Sequence, residues 1–355
     1  MKTRNGTTKL SMVALAVASL LNATPVRADD AEAEALKRPT NTAELGVYNA
    51  NGSSAKFGEY TGINKAGANL IGNVNVRGGD AYDQQGGTNR WSVIGTDLGL
   101  TSESLGASYS NQGRWKLGFN YDELRHNLSD TYQTPYVGEM GGNSYRLPAG
   151  FGLVPSTGAG TNAMSAAQLA AFHNVDVSTT RKNTSLNGEL ALSSRWGISF
   201  DLNHLDQSGA KLMGFGAAGF GGATGEAVSI LPMPTNYTTD NMRFALNWMG
   251  DKGHMSAAYF GSFFRDGYDR VNFQTWAGAS NMQVMATAPD NDFHQLSLAG
   301  GYAFAPKTKL AGSLSYGRNP QNVPYVYDAG MLVSGPPVTP AAGWGEPRHA
   351  VPTTP

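Results

Sequence analysis

The sequence predicts an all-β chain: an antiparallel up-and-down transmembrane β-barrel of the outer-membrane type, open at about eleven strands and preceded by a signal peptide. Three observations carry this expectation. Glycine supplies 45 of 355 residues, roughly one in eight against a usual ~7%, which does not suit helical bundles. Segments between residues 44 and 317 repeat an apolar/polar alternation of period two. Four tryptophans stand beside short turns, where a membrane-interface girdle would place them.

The amino terminus reads as an address. Lys2, Arg4 and Lys9 form a basic region, Leu10 to Leu21 a twelve-residue apolar stretch, and Val26-Arg27-Ala28 a small-residue cleavage site. Residues 1–28 are therefore expected to be a signal peptide, with the mature chain starting at Asp29. Losing four basic residues and no acids takes the net charge from -1 to about -5. Residues 29–43 are assigned to an N-terminal periplasmic segment, 44–317 to barrel strands and loops, and 318–355 to an irregular Pro-rich tail.

Within 44–317 the clearest strand sets Trp115, Leu117, Phe119 and Tyr121 against Lys116, Gly118, Asn120 and Asp122. Upstream, Leu70, Val74 and Val76 alternate with Asn69, Asn73 and Asn75, and the runs 91–100 and 103–110 behave alike. Downstream, Leu186, Leu190 and Leu192 alternate with Ser185, Asn187 and Glu189, and Trp196, Ile198, Phe200 and Leu202 with Gly197, Ser199, Asp201 and Asn203. Met242, Phe244, Leu246 and Trp248 alternate with Arg243, Ala245 and Asn247. Met255, Ala257 and Tyr259, then Leu296, Leu298, Tyr302 and Phe304, then Leu310, Leu314 and Tyr316 continue the pattern. Segment lengths cluster near ten residues, about what a tilted strand needs to cross a bilayer.

The polar face is Asn, Ser, Gly, Ala and single charges, a composition suited to a crowded wet lumen more than to a surface in bulk water. The candidate lumen-facing residues are Lys116, Gly118, Asn120, Asp122, Glu189, Ser199, Asp201, Arg243 and Asn247. The candidate membrane-interface aromatics are Trp91, Trp115, Trp196 and Trp248. Short links at 111–113, 193–195, 250–253 and 305–308 alternate with long ones at about 125–181, 205–237 and 266–292. Outer-membrane barrels show this asymmetry, with short turns on the periplasmic side, so the tryptophan end is assigned to the periplasm.

Composition excludes several activities. Charged residues are 15% and the net charge is -1, which gives no electrostatic footprint for nucleic acid. With no cysteine there is no disulfide, thiolate zinc site, cysteine nucleophile or covalent c-type haem attachment. Gly214 to Gly219 spells a dinucleotide-like G-x-G-x-x-G but lacks the strand-to-helix context. Asp290-Asn291-Asp292 gathers oxygens without the rest of a calcium loop and reads as a solvated turn. Asp201 and His204 are three apart on a strand and face opposite sides, poor geometry for an acid–base pair. His126, His173, His254 and His294 are read as rim residues in loops or at strand ends. No catalytic, cofactor-binding or metal-ligating residue is assigned. Ser165 to Phe172, with Ser165 as cap and Gln168 three residues on, predicts one short helix in the longest loop.

Irregular segments then bring a family into view. Phe57-Gly58-Glu59-Tyr60-Thr61-Gly62-Ile63, Asn111-Gln112-Gly113, Tyr121 to Thr131 (YDELRHNLSDT) and Thr134-Pro135-Tyr136 resemble the MtrB/PioB family of decahaem-associated outer-membrane barrels. So do Leu231 to Thr239 (LPMPTNYTT), Tyr259 to Arg265 (YFGSFFR), Ala288 to Asn291 (APDN) and His294 to Leu298 (HQLSL), in the family's order, over about residues 40 to 320. The resemblance implies a barrel that sheathes a multihaem c-type cytochrome. Electrons would cross the outer membrane through that partner for extracellular metal reduction or iron oxidation, while the barrel holds no cofactor and catalyses nothing.

Two other function classes fit the residues alone. One is a diffusion porin with 125–181 as its constricting loop; the other is an exported soluble β-rich surface protein. After Tyr316 the alternation stops, and residues 331–355 hold six prolines, which cannot donate ladder bonds. The sequence therefore reads as the N-terminal part of a barrel, truncated or frame-shifted near residue 320 to 330, with both sheet edges open.

Overall fold

The computed structural model describes residues 41–80, 87–151, 164–216, 228–274 and 282–321. The expected signal peptide, residues 29–40, the Gly214–Gly219 run beyond residue 216 and the tail beyond residue 321 lie outside the described residues.

The strands are β1 (Thr42–Ala50), β2 (Gly67–Gly78), β3 (Asn89–Leu98), β4 (Ser104–Asn111), β5 (Trp115–Thr134), β6 (Ser144–Tyr145), β7 (His173–Ala191), β8 (Trp196–Gly216), β9 (Val228–Met249), β10 (Gly253–Asp266), β11 (Arg270–Gln274), β12 (Met282–Ala286), β13 (Asn291–Ala305) and β14 (Thr308–Arg318). Helix α1 (Ala166–Ala170) precedes β7 and carries the expected capping box. The Ser165 hydroxyl accepts from the Gln168 N–H at 3.2 Å, and the Gln168 side chain accepts from the Ser165 N–H at 2.8 Å.

Eleven strands form one sheet in the order β1-β2-β3-β4-β5-β7-β8-β9-β10-β13-β14, each antiparallel to its neighbour. Within this sheet each strand therefore pairs with the next of its strands along the chain, β6, β11 and β12 being set aside in the connections, and among the described residues β1 and β14 do not pair with each other. This is the open eleven-strand meander that the alternation implies.

Register carries that alternation across the sheet. On the apolar face a single row runs Ala107–Phe119–Leu186–Leu202–Met242, and the next runs Phe200–Phe244–Tyr259–Leu296–Tyr316. Leu117, Phe119, Leu190, Phe244, Leu246 and Leu298 are exposed, and Tyr121, Phe200 and Tyr259 are half-buried. An apolar face left open on this scale is not the core of a soluble sandwich. Small residues let the large ones lie down: Phe200 sits opposite Gly188, and a Cβ there would come within 2.4 Å of its ring.

Strand lengths depart from the expectation. β5, β7, β8 and β9 run to 20, 19, 21 and 22 residues, about twice the 9–11 needed to cross a bilayer. The long links consequently shrink to 135–172, 217–227 and 267–290. The alternation could not show this. Past the bilayer both faces meet water or loops, so nothing forces apolar residues onto one side while the backbone ladder continues. His126 and the LPMPTNYTT segment, read as loop, lie within β5 and β9, and His294 lies within β13. Pro232 and Pro234 are tolerated in β9 because β10 ends its pairing at Asp266↔Tyr237. Beyond that point the β10 side of β9 has no ladder for a missing N–H to break.

The connections at 112–114, 192–195, 250–252 and 306–307 lie at one end of the sheet with 79–88, and those at 51–66, 99–103, 135–172, 217–227 and 267–290 at the other. Trp91, Trp115, Trp196 and Trp248 all fall at the short-turn end on the apolar face, with Trp196 directly opposite Trp248 and their rings 6.5 Å apart.

At the long-loop end β12, β11 and β6 form a second sheet, β11 pairing antiparallel with β12 and parallel with β6. The one buried apolar cluster among the described residues is here: Tyr136, Tyr145, Leu231, Val271 and Phe273, flanked by Leu147, Met233 and Met285. Tyr136 donates its hydroxyl to the Gln274 carbonyl at 2.7 Å, and the Leu147 N–H donates to the Gln274 side chain at 2.7 Å.

Candidate pore face and the sheet that covers its end

Each predicted lumen residue lies on the polar face. Lys116, Glu189, Ser199, Ala245, Ala258, Ser297 and Ser315 stand in one row; Gly118, Asn187, Asp201, Arg243, Phe260 and Gln295 stand in the next. Asn120 and Asp122 continue this face toward the long-loop end, and Asn247 sits opposite Gly197 and Ser256. Alternation alone achieves this, because the β7–β8, β8–β9 and β9–β10 registers run without a bulge.

The polar side chains bond across strands. The Asn183 amide donates to Asp122 at 3.0 Å and the Asn203 amide to Asn183 at 2.6 Å. Ser92 and Ser108 hydroxyls meet at 2.8 Å, and Arg243 stands 3.8 Å from Asp201. The exposed Arg243–Asp201 pair contributes little to stability. Gly118 is buried beneath the Asn187 side chain, and a Cβ there would lie 2.6 Å from its amide oxygen.

Toward the long-loop end this face changes character. Phe260 and Phe293 rings lie 6.1 Å apart, and Tyr237 and Phe264 rings 5.3 Å apart, all on the polar side by register. Further along β9 the same face presents Met233 and then Leu231, which belong to the apolar cluster of the second sheet. The loop sheet therefore packs against the polar side of the extended β9. Sequence reading missed this cluster; its only signal was Phe260 and Phe264 falling out of alternation.

On the apolar face the same level is marked by charge. The row after Leu202 and Met242 holds His204 and Asp240 at 2.6 Å, and the next holds Glu123 and Lys182 at 3.7 Å. Charge is costly in hydrocarbon, so the apolar belt ends there. Trp196 to Leu202 rises about 20 Å along β8 at ~3.3 Å per residue, on the scale of the ~25 Å apolar band of outer-membrane barrels. His204 faces Asp240 and Asp201 faces Arg243 on the opposite side, as the three-residue spacing requires.

The strand extensions beyond the belt are held by loops. β3 and β4 stop at Leu98 and Ser104, leaving the β5 edge without its partner beyond Asp122. Its N–H groups are taken by loop carbonyls instead: Glu123 donates to Glu103, Arg125 to Thr101 and Asn127 to Glu59, each at 2.9 Å. An exposed edge is thereby covered. His126 stacks on Tyr60 with ring centroids 4.4 Å apart, so the FGEYTGI and YDELRHNLSDT segments meet in space.

The Asp290-Asn291-Asp292 stretch, read as a solvated turn, instead leads into β13, and its carboxylates meet protein groups. Arg265 lies 2.6 Å from Asp292 and 3.9 Å from Asp290, and the Asp266 N–H donates to Asp290 at 2.8 Å. Burial, with Asp290 nearby, raises the Asp266 carboxyl above the usual carboxylate range. In the loop sheet, burial pushes the Tyr145 phenol up to about 12. Among the described residues no three His, Asp or Glu side chains converge as metal ligands.

A family model described as "Putative outer membrane beta-barrel porin, MtrB/PioB" matches residues 49–343. Outer membrane protein MtrB of Shewanella baltica (strain OS185) is 25% identical over 268 residues, covering 74% of this chain and 36% of that relative. The chain thus spans well under half the relative's length. Among solved structures, OmpT of Vibrio cholerae is 9% identical with a TM-score of 0.33, covering 79% of this chain and 66% of that one. The Ralstonia pickettii toluene transporter TbuX is 11% identical with a TM-score of 0.29, covering 78% and 75%. Location in the outer membrane sets aside the exported soluble β-protein. With the family model matched over most of the chain and the alternating faces on the page, the chain belongs to the MtrB/PioB family of outer-membrane β-barrels.

Proposed function

We propose that the sheet is part of the wall of a sheath that holds a multihaem c-type cytochrome, through which electrons cross the outer membrane during extracellular metal reduction or iron oxidation. The observation that carries this reading is the two-faced pattern of the central strands at membrane level, with small residues such as Gly118, Ser199 and Ala258 on one side. A lumen so lined lets a large partner approach the wall closely. Lys116, Asn120, Asp122, Glu189, Asp201, Arg243 and Asn247 are then partner-contact positions. The aromatics Trp91, Trp115, Trp196 and Trp248 mark the periplasmic interface, where indoles favour the headgroup level. Sparse lumen charge, with Arg243 already beside Asp201, argues against the opposed charge clusters of a selective eyelet. The barrel supplies a passage and no reaction.

A second reading, a diffusion porin, is favoured by one feature: the loop sheet packed on the polar side at one end, where a constriction would sit. The test is affinity purification of the tagged protein from its native outer membrane, followed by haem staining. A multihaem cytochrome retained in fixed ratio supports the sheath. A haem-free preparation that conducts small solutes supports the porin.

A further inference from the structure

The short-turn end of the polar face carries an array of cations. Each of the tight connections holds one: Arg114 in 112–114, Arg195 in 192–195, Lys252 in 250–252 and Lys307 in 306–307. Two more, Arg90 and Lys116, stand on β3 and β5 either side of Ser110 in the register. All six are exposed. The acids at this end among the described residues are fewer: Asp251, 3.3 Å from Arg195; Asp80, bonded to the Asn89 amide at 2.6 Å; and Glu189.

Where the two strand cations point follows from strand geometry. Trp91 and Trp115 lie on the apolar face, so their strand neighbours Arg90 and Lys116 project to the opposite, polar side. Cations that serve lipid phosphates would share the lipid-facing side with the tryptophans. Here Arg90 and Lys116 line the inner rim, and the four turn cations stand at the mouth itself.

We propose that the short-turn mouth of the polar face is a docking surface for an acidic protein face, that of the cytochrome partner as it enters the lumen. This rests on the sheath reading above. Complementary charge at a rim steers encounter and sets orientation, and it is screened by salt because the side chains are exposed.

The test uses the full chain in detergent and poly-L-glutamate as the acidic probe, with poly-L-lysine as control. Poly-L-glutamate should bind at low ionic strength and be released by salt. The variant R114Q/R195Q/K252Q/K307Q should bind about tenfold more weakly, with a flatter salt dependence. R114K/R195K keeps the charge and should bind as the parent does, which separates charge from misfolding. Equal binding by parent and neutral variant overturns the proposal. So does a loss confined to phosphatidylglycerol vesicles with probe binding unchanged, since the cations would then serve lipid. If the probe binds as expected but no cytochrome co-purifies from the native membrane, the sheath reading fails and the acid-binding mouth stands.

Discussion

Asn127, buried in β5, donates its side-chain amide to the Gly58 carbonyl at 2.8 Å while its own amide oxygen accepts from Asn64 at 3.1 Å. With the backbone bond from Asn127 to Glu59, one residue fastens the first long-loop-end connection over the end of the β3–β4 hairpin. Asn127→Ala should cost about 1–3 kcal/mol, because it strands buried polar partners. Hydrogen exchange should show faster exchange at the Glu123, Arg125 and Asn127 amides, with the transmembrane amides unchanged.

The two faces differ in their tolerance of charge. Phe244 lies mid-belt on the apolar face, so Phe244→Arg should cost about 2–4 kcal/mol in lipid. Asn247→Arg, on the polar face of the same strand, should cost much less. Urea unfolding of both variants in lipid vesicles measures the difference, and equal costs would reverse the face assignment.

Gly188 is needed under Phe200. Gly188→Val would drive that ring from its seat and should cost about 1–3 kcal/mol by overpacking. Pairing it with Phe200→Ala should recover part of the loss in a double-mutant cycle.

The loop end should respond to pH through Asp266, which lies beyond the apolar belt. Its folded pKa is raised by burial, so the folded state holds the proton more tightly than the unfolded one. Its contribution is fully present below the usual carboxylate pKa and is lost as pH rises through the raised value. Limited proteolysis of the 267–290 connection should therefore be slower in mild acid than at neutral pH, and Asp266→Asn should flatten that dependence.

Much of this fold is legible in the sequence because one physical rule writes it. A strand between lipid and a wet interior must alternate, so Phe119, Leu186, Phe244 and Leu296 reveal strand, face and register together. The capping box at Ser165 and Gln168 is equally local. What escaped lies where that rule lapses. The outer halves of β5, β7, β8 and β9 contact water and loops on both sides, so their residues carry no period. The strands β6, β11 and β12 are two to five residues long, and they exist because Tyr145, Val271 and Phe273 meet Leu231 from a distant strand. The nine polar positions from Lys116 to Asn247 are readable as one face; the aromatic patch of Phe260, Phe264, Phe293 and Tyr237 emerges only from the register.

The most direct measurement is made on proteoliposomes that enclose an electron acceptor and carry the protein purified from its native outer membrane. The expected result is reduction of the enclosed acceptor by an external donor only when the multihaem cytochrome is retained, with slow leakage of small sugars. Rapid sugar leakage from vesicles whose protein holds no cytochrome would contradict the sheath role and leave a porin.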